Sequence, residues 1–174
     1  TTLYLAGPNL HTLVNKINED LNALSSWFKA NKLALNVQKT SYMVFSNNHI
    51  KHNYEIKIEG KDIMQVTNTK FLGIYLESQM RWEYHTKYVA KKVASGLYAL
   101  NSLKFFMPSY TLLALYHALI HPNLTYGCML WGNSYKKFLY KIQVLQKKAI
   151  RIICHVNYNT STSPLFKDKG ILNL

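Results

Sequence analysis

The sequence changes character within the stretch Lys70–Trp82, "KFLGIYLESQMRW". Its first half is an apolar run of β-favouring residues that one glycine, Gly73, interrupts. Beyond Gln79, apolar residues recur at three- and four-residue steps, which is the period of an amphipathic helix. The stretch therefore predicts a boundary near residue 79, between a mixed α/β half and an all-helical half.

Before this boundary, the sequence predicts one helix and several strands. A helical period runs through residues 10–28, and Asn9 can cap that helix. From Leu33 the period changes to two, and the segment "YEIKIEGKDI" predicts a hairpin with its turn at Gly60–Lys61. We expect residues 1–79 to form a small, mostly antiparallel sheet backed by one helix.

Beyond the boundary, three segments have the helical period: one before Pro108, one after it, and one that ends near Ile153. They predict an all-helical domain over residues 80–156. The last residues, 157–174, are rich in turn formers and are predicted to be loosely held. The predicted fold class is therefore α+β.

The charge of the chain favours an anionic partner. Among its 174 residues, 21 are lysine or arginine and 8 are aspartate or glutamate, which gives a formal charge of +13. After Glu83 the only carboxylate side chain is that of Asp168, so the positive field belongs mainly to the second half. This imbalance favours a polyanion over an acidic metabolite, with nucleic acid as the first interpretation and an anionic membrane surface as the alternative.

Cysteine usage and hydropathy exclude several other classes. Cys128 and Cys154 are far apart and form no CxxC motif, so neither a zinc module nor a disulfide framework is indicated. No apolar run approaches the roughly 18 residues of a membrane span. We expect an intracellular protein, nuclear or cytoplasmic, without a membrane partner.

A search for catalytic groups finds no convincing set. Glu19 and Asp20 are adjacent in a predicted helix, where neighbouring side chains diverge and cannot hold one metal ion together. His155 follows Cys154, but no third group is evident that could orient a nucleophile pair. We therefore predict no catalytic residue and no metal ligand in this chain.

Six segments stand in a fixed order along the chain: "TTLYLAGPN", "INEDLNALSSWFKANKLALNVQKTSYMVF", "IKIEG", "VTNTKFLGIYLE", "LIHPNLTYGCMLWGN" and "LQKKAIRII". In this order they make the sequence resemble the reverse transcriptases of non-LTR, LINE-type retrotransposons. The resemblance is closest to the C-terminal part of jockey-like enzymes and covers nearly the whole chain.

The resemblance implies which parts of the enzyme this chain contains. In the family, a palm hairpin with paired catalytic aspartates directly precedes a stretch similar to "TTLY", so these aspartates would lie before Thr1 and outside this chain. Two-metal phosphoryl transfer needs such carboxylates to hold ions about 4 Å apart. The resemblance thus implies a palm remnant with the primer-grip hairpin at 1–79, and a helical thumb with the helix that follows it at 80–156, with no cofactor of their own. Mg²⁺ would serve the complete parent polymerase, and the missing upstream fingers and palm would be a partner.

The resemblance also assigns roles to individual residues. "KFLG" is similar to the primer grip, in which the backbone at Gly73 would pass close to the primer end while Phe71 and Leu72 brace the hairpin from the core. The alternative for Gly73 is a β-bulge. Lys39 resembles a palm lysine near the phosphates of the incoming nucleotide, and its alternative is a solvent-exposed turn residue.

In the helical half, the resemblance implies contacts with an RNA template or an RNA–DNA hybrid. The alternative interpretation is that the basic residues of this half only form a solvated helix face, although such faces usually contain both acidic and basic side chains. We predict the function of a reverse transcriptase fragment that retains template-primer binding. The alternative function is a non-catalytic, basic RNA- or DNA-binding or interaction protein derived from such an element. The predicted nucleic-acid-binding residues are Tyr84, Lys87, Tyr88, Lys91, Lys92 and Lys104.

Overall fold

The computed structural model describes residues 1–46 and 54–173. Residues 47–53, inside the predicted domain 1–79, and Leu174, at the end of the predicted tail, lie outside the described residues. All elements named below lie within the described part of the chain.

The chain divides into two compact units, a first unit of residues Thr1–Thr69 and a second unit of residues Lys70–Leu174. This division falls earlier than the boundary predicted near residue 79. The reason is that Ile74 and Leu76, which belong to the strand-like part of the deciding stretch, pack against the core of the helices that follow them. The hairpin that contains them is therefore part of the helical unit.

The first unit combines one helix with two small sheets. Asn9 caps its helix as predicted, because the Asn9 Oδ1 atom accepts a hydrogen bond from the backbone N–H of His11 at 2.9 Å. A two-stranded antiparallel sheet and a two-stranded parallel sheet follow. The elements are helix α1 (Leu10–Ala30), a short 3₁₀ helix (Val37–Lys39) and strands β1 (Ser41–Tyr42), β2 (Lys57–Ile58), β3 (Lys61–Asp62) and β4 (Met64–Gln65).

The hairpin β2–β3 turns one residue earlier than predicted. Its two turn residues are Glu59 and Gly60, with φ angles of 53° and 74°, rather than Gly60 and Lys61. Positive φ at both central residues is the turn geometry that matches the twist of paired strands. The core of this unit is small and consists of Leu21, Ile56, Ile58 and Ile63.

The second unit is a helical bundle joined to a hairpin. The two strands of this hairpin are joined by only two residues, so they can pair only in the antiparallel direction. The elements are β5 (Asn68–Phe71, whose first two residues precede the division), β6 (Ile74–Glu77), α2 (Glu83–Leu103), α3 (Ser109–Leu119), α4 (His121–Thr125), α5 (Cys128–Trp131), α6 (Lys136–Ile153) and α7 (Ser163–Asp168). The predicted α+β class is confirmed, and the described strands form three two-stranded sheets rather than one.

One apolar core holds the second unit together. Helices α2 and α6 pack against each other along their buried faces, and α3, α4 and α5 close the bundle. The residues with no exposed surface are Val93, Leu100, Leu112, Tyr116, Ile120, Trp131, Ile142, Ala149, Ile150 and Ile153.

The segment predicted as a loose tail is packed instead. Phe166 and Ile171 are buried in the core of the second unit. The buried amide of Gln146 donates hydrogen bonds to the Leu172 carbonyl at 2.9 Å and to the Tyr116 hydroxyl at 3.1 Å. Turn-forming neighbours hid these two apolar anchors from the sequence pattern, so the described part of 157–174 belongs to the folded unit.

Candidate nucleic-acid interface

Helix α2 presents one face to the core and one to solvent. His85, Val89 and Val93 lie on the buried face, and residues on the opposite face follow the same period of 3.6. That exposed face carries aromatic and basic side chains in alternation. Its members include five of the predicted contact residues: Tyr84, Lys87, Tyr88, Lys91 and Lys92.

Four side chains meet on this face, and we call them the Tyr88 cluster: Lys70, Tyr75, Tyr88 and Lys92. The Lys70 Nζ atom lies 4.9 Å from the Tyr88 ring centroid and 5.7 Å from that of Tyr75. The Lys92 Nζ atom lies 5.8 Å from the Tyr88 ring centroid. The two tyrosine rings meet edge to face at 5.1 Å. Two ammonium groups are thus held beside aromatic rings by cation–π attraction, with Lys70 and Lys92 both exposed.

Two members of the cluster, Lys70 and Tyr75, were missed in the sequence. They lie on β5 and β6, which are joined by the turn Leu72–Gly73, with φ angles of 45° and 84°. A two-residue turn places Lys70 opposite Tyr75 on one face of the hairpin. The signal that could have identified them was the basic–aromatic pair at equal distances on either side of a possible two-residue turn.

His85 anchors the hairpin beneath the cluster. Its Nδ1 atom accepts a hydrogen bond from the Tyr75 backbone N–H at 3.3 Å, and its ring lies 6.3 Å from that of Tyr88. The side chain is buried, and burial lowers the pKa of His85. The neutral ring therefore remains a hydrogen-bond acceptor and fixes β6 against α2.

Lys87 is close to the Tyr88 cluster, but its ammonium group is paired with a carboxylate. Its Nζ atom lies 2.7 Å from the Glu83 carboxylate, one helical turn away, and 6.0 Å from the Tyr84 ring centroid. The hydrogen bond to Glu83 raises the pKa of Lys87. By contrast, no carboxylate in residues 1–46 or 54–173 forms an ion pair with Lys91 or Lys92. The ammonium groups of these two lysines are therefore more available to a phosphate than that of Lys87.

Lys104 does not belong to this face. It lies twelve residues after Lys92, which places it about 18 Å further along the axis and rotates it by about a third of a turn. It is half-buried at the end of α2 and lines a separate cavity with residues of α6. The contact predicted for Lys104 with nucleic acid therefore stays a prediction, at a place separate from the other predicted lysines.

The predicted primer-grip residues occupy the tip of the β5–β6 hairpin. Phe71 is 42% exposed and Leu72 is 74% exposed, so neither braces the hairpin from the core as predicted. Gly73 is the second residue of the turn and not a β-bulge. Both differences from the prediction, the exposed side chains and the turn position of Gly73, have one cause. The chain reverses direction at Leu72–Gly73, so the turn projects outward.

Tyr126 holds this turn in place. Its hydroxyl donates a hydrogen bond to the Leu72 carbonyl at 2.6 Å. A Cβ atom at Gly73 would lie 3.3 Å from Cε1 of the Tyr126 ring. The glycine is thus required both by its positive φ and by the aromatic ring packed against it.

Replacing Gly73 with alanine should lower the free energy of unfolding by about 1–2 kcal/mol from the left-handed backbone alone, with a further loss from the Tyr126 contact. Gly170→Ala is the matched control, because Gly170 has a φ of 62° in the same unit but would place its new Cβ atom more than 4 Å from any neighbouring atom. Urea denaturation measures the free energy of unfolding of both variants. Equal losses would show that the Tyr126 contact contributes nothing.

Lys39 lies in the first unit, at the end of the 3₁₀ helix Val37–Lys39. Its side chain is exposed, and its backbone N–H donates to the Asn36 Oδ1 atom at 3.1 Å. Asn36 therefore fixes the backbone at this lysine and leaves the ammonium group in solvent.

The described residues offer no metal site. Within 1–46 and 54–173, no three histidine, cysteine, aspartate or glutamate side chains come together as a metal would require. No such group that could hold a Mg²⁺ ion lies within these residues, and no chemical step is assigned to one. In the same part of the chain, no helix has both the length and the apolar character needed to cross a membrane.

The chain is similar to three curated polymerases of Drosophila melanogaster. It is 29% identical over 159 residues to a probable RNA-directed DNA polymerase from transposon BS, and 24% identical over 162 residues to one from transposon X-element. It is 23% identical over 161 residues to the RNA-directed DNA polymerase from mobile element jockey. These alignments cover 89%, 91% and 91% of this chain.

The alignments cover only 18% of each relative, so the chain spans about a fifth of their length. No family model matches the chain, and no solved structure matches it. The predicted resemblance is nonetheless confirmed, since the curated homologues of this chain are RNA-directed DNA polymerases of the mobile elements BS, X-element and jockey.

Proposed function

We propose that this chain is a nucleic-acid-binding part of a reverse transcriptase of a non-LTR mobile element. In this proposal, the second unit holds the template-primer duplex as a thumb, and the first unit is a palm remnant. The observation that carries the proposal is the Tyr88 cluster, which presents two exposed ammonium groups beside two tyrosine rings.

The charge of the second unit supports this assignment. Residues 70–174 contain fourteen lysines and arginines against three carboxylates, Glu77, Glu83 and Asp168, which leaves a formal charge of +11. Residues 1–69 contain seven basic against five acidic side chains, which leaves +2. Phosphate backbones attract such a field independently of their base sequence. A partner recognised mainly by its phosphates therefore fits the second unit.

The chemistry of the Tyr88 cluster and of the nearby Lys91 suits a duplex backbone. Lys70, Lys91 and Lys92 would neutralise phosphates, and the Tyr88 hydroxyl, 3.5 Å from the Lys70 Nζ atom, would contact sugar or phosphate oxygens. The adjoining turn Leu72–Gly73 would serve as the primer grip with its exposed backbone. An upstream fingers and palm part would complete the active site, with Mg²⁺ bound there.

Charge reversal of the cluster tests the proposal. We expect Lys70→Glu/Lys92→Glu to weaken binding of an RNA–DNA hybrid by at least about tenfold, since two phosphate contacts are lost and two repulsions are gained. We also expect the slope of log affinity against log salt to become shallower by about 1.5–2. Fluorescence anisotropy over a salt series measures both quantities.

The matched control is Lys167→Glu/Lys169→Glu, which changes the net charge equally but lies in and after α7. We expect this control to weaken binding about twofold and to leave the slope nearly unchanged, provided that both variants melt like the parent chain. An equal loss in both variants would mean that net charge alone drives binding, and the thumb assignment would be withdrawn.

A further inference from the structure

The second unit contains a basic and aromatic cavity away from the Tyr88 cluster. It has a volume of about 510 Å³ and lies between the C-terminal end of α2 and the segment that follows α6, within the size range of small-ligand sites. Among the described residues, its lining includes three cations, a phenylalanine and a tyrosine ring, the imidazole of His155, the amides of Asn101 and Asn157, and no carboxylate. The cations are Lys104, Lys148 and Arg151, and the rings are Phe105 and Tyr158.

Two of the three cations, Arg151 and Lys104, are held in place by neighbouring groups. The Arg151 Nε atom donates to the Thr160 carbonyl at 2.9 Å, and the guanidinium carbon lies 5.6 Å from the Tyr158 ring centroid. The Lys104 Nζ atom lies 4.8 Å from the Phe105 ring centroid. The terminal nitrogens of Arg151 make no hydrogen bond to another described residue, so its planar fork remains available to an anion such as phosphate.

The two rings are exposed rather than packed into the fold. Phe105 is 83% exposed and Tyr158 is 73% exposed. Large exposed rings beside cations are the combination that binds single-stranded nucleic acid, in which bases stack on aromatic faces and phosphates follow the positive charge. A base inside a duplex is already stacked on its neighbours and cannot present its face to these rings.

From this arrangement we propose that the cavity binds one unpaired nucleotide of a nucleic-acid strand. Lys104, Lys148 and Arg151 hold its phosphate, and the base stacks on Phe105 or Tyr158. The site is independent of the duplex surface proposed above, so either assignment can fail while the other stands.

Neighbouring residues supply matched variants for the test. Phe106 is 79% exposed and follows Phe105 in the chain, but it does not line the cavity. Lys147 precedes Lys148 in the chain and does not line the cavity either. The probe is a labelled six-nucleotide single-stranded RNA, measured by anisotropy in the Lys70→Glu/Lys92→Glu background to reduce binding at the Tyr88 cluster. We expect Phe105→Ala to weaken this binding by about tenfold and Phe106→Ala by less than about twofold.

The charge variants give a second readout. Lys148→Ala should make the salt slope shallower by about 0.7, the value for one phosphate contact on a single strand, and Lys147→Ala should not change it. In the parent chain, Phe105→Ala should leave RNA–DNA hybrid binding unchanged. Equal responses to Phe105→Ala and Phe106→Ala would overturn the proposal.

Two competitors distinguish the source of the nucleotide. Unlabelled single-stranded RNA of six nucleotides should displace the probe at a lower concentration than adenosine monophosphate, because each strand offers the site several nucleotides and the mononucleotide offers one. Displacement by the mononucleotide at concentrations equal to those of the RNA would overturn the assignment to a strand. Tighter binding of a phosphopeptide of equal charge would overturn the assignment to nucleic acid.

Discussion

Trp131→Ala should lower the free energy of unfolding of the second unit by about 3–5 kcal/mol, the usual cost of truncating a buried tryptophan. Trp131 has no exposed surface. Its ring meets the His85 ring at 5.6 Å, and its Nε1–H donates to the Tyr126 carbonyl at 3.0 Å. The substitution therefore leaves a cavity and removes the support of Tyr126, which in turn holds the hairpin turn.

Leu130 provides the matched control, because it precedes Trp131 in α5 and is 56% exposed. We expect Leu130→Ala to cost less than about 1 kcal/mol. Trp131→Phe fills most of the space but cannot donate the hydrogen bond, so it should cost an intermediate amount. Urea denaturation followed by circular dichroism measures all three. A cost below about 1 kcal/mol for Trp131→Ala would contradict the described core.

Gly96→Ala should also destabilise the second unit, by about 1–3 kcal/mol, although alanine normally favours a helix interior. A Cβ atom at Gly96 would lie 2.7 Å from Cγ1 of Ile120 and 3.3 Å from the Leu119 carbonyl oxygen. Ile120 is completely buried, so its side chain has no space into which to move. The glycine sets the close approach of α2 to the end of α3.

A double-mutant cycle identifies the clash. Gly96→Ala should cost less when Ile120 is already alanine, because the contacting Cγ1 atom is then absent. Ser95→Ala is the matched control, since Ser95 is exposed on the same helix, and it should be neutral or slightly stabilising. Additive effects of Gly96→Ala and Ile120→Ala would contradict the proposed contact.

Periodicity predicted the helices well. In α1, Val14, Ile17 and Leu21 all pack into the core of the first unit, and the Asn9 cap is also correct. These features depend on local spacing and on one local hydrogen bond, both of which can be inferred directly from a sequence. The place where the hairpin docks is a tertiary property, so the division after Thr69 could not be read from spacing.

The candidate site was predicted in part. Tyr88 and Lys92 share a helix face as expected, whereas Lys70 and Tyr75 depend on the turn at Leu72–Gly73. A leucine with positive φ is unusual, so the residues at this turn give little sign of its type. The position of Lys104 further along α2 than Lys92, in contrast, follows from counting residues along the helix.

The hydrogen bond from Tyr126 to Leu72 also affects the order of events during synthesis. A hairpin alone forms within microseconds, but the residue that closes this turn lies 54 positions later in the chain. At translation rates of roughly 5–20 residues per second, Tyr126 is added about 3–11 seconds after Leu72. For that interval the nascent β5–β6 hairpin has an unsecured tip, and a ribosome-associated chaperone has time to bind it.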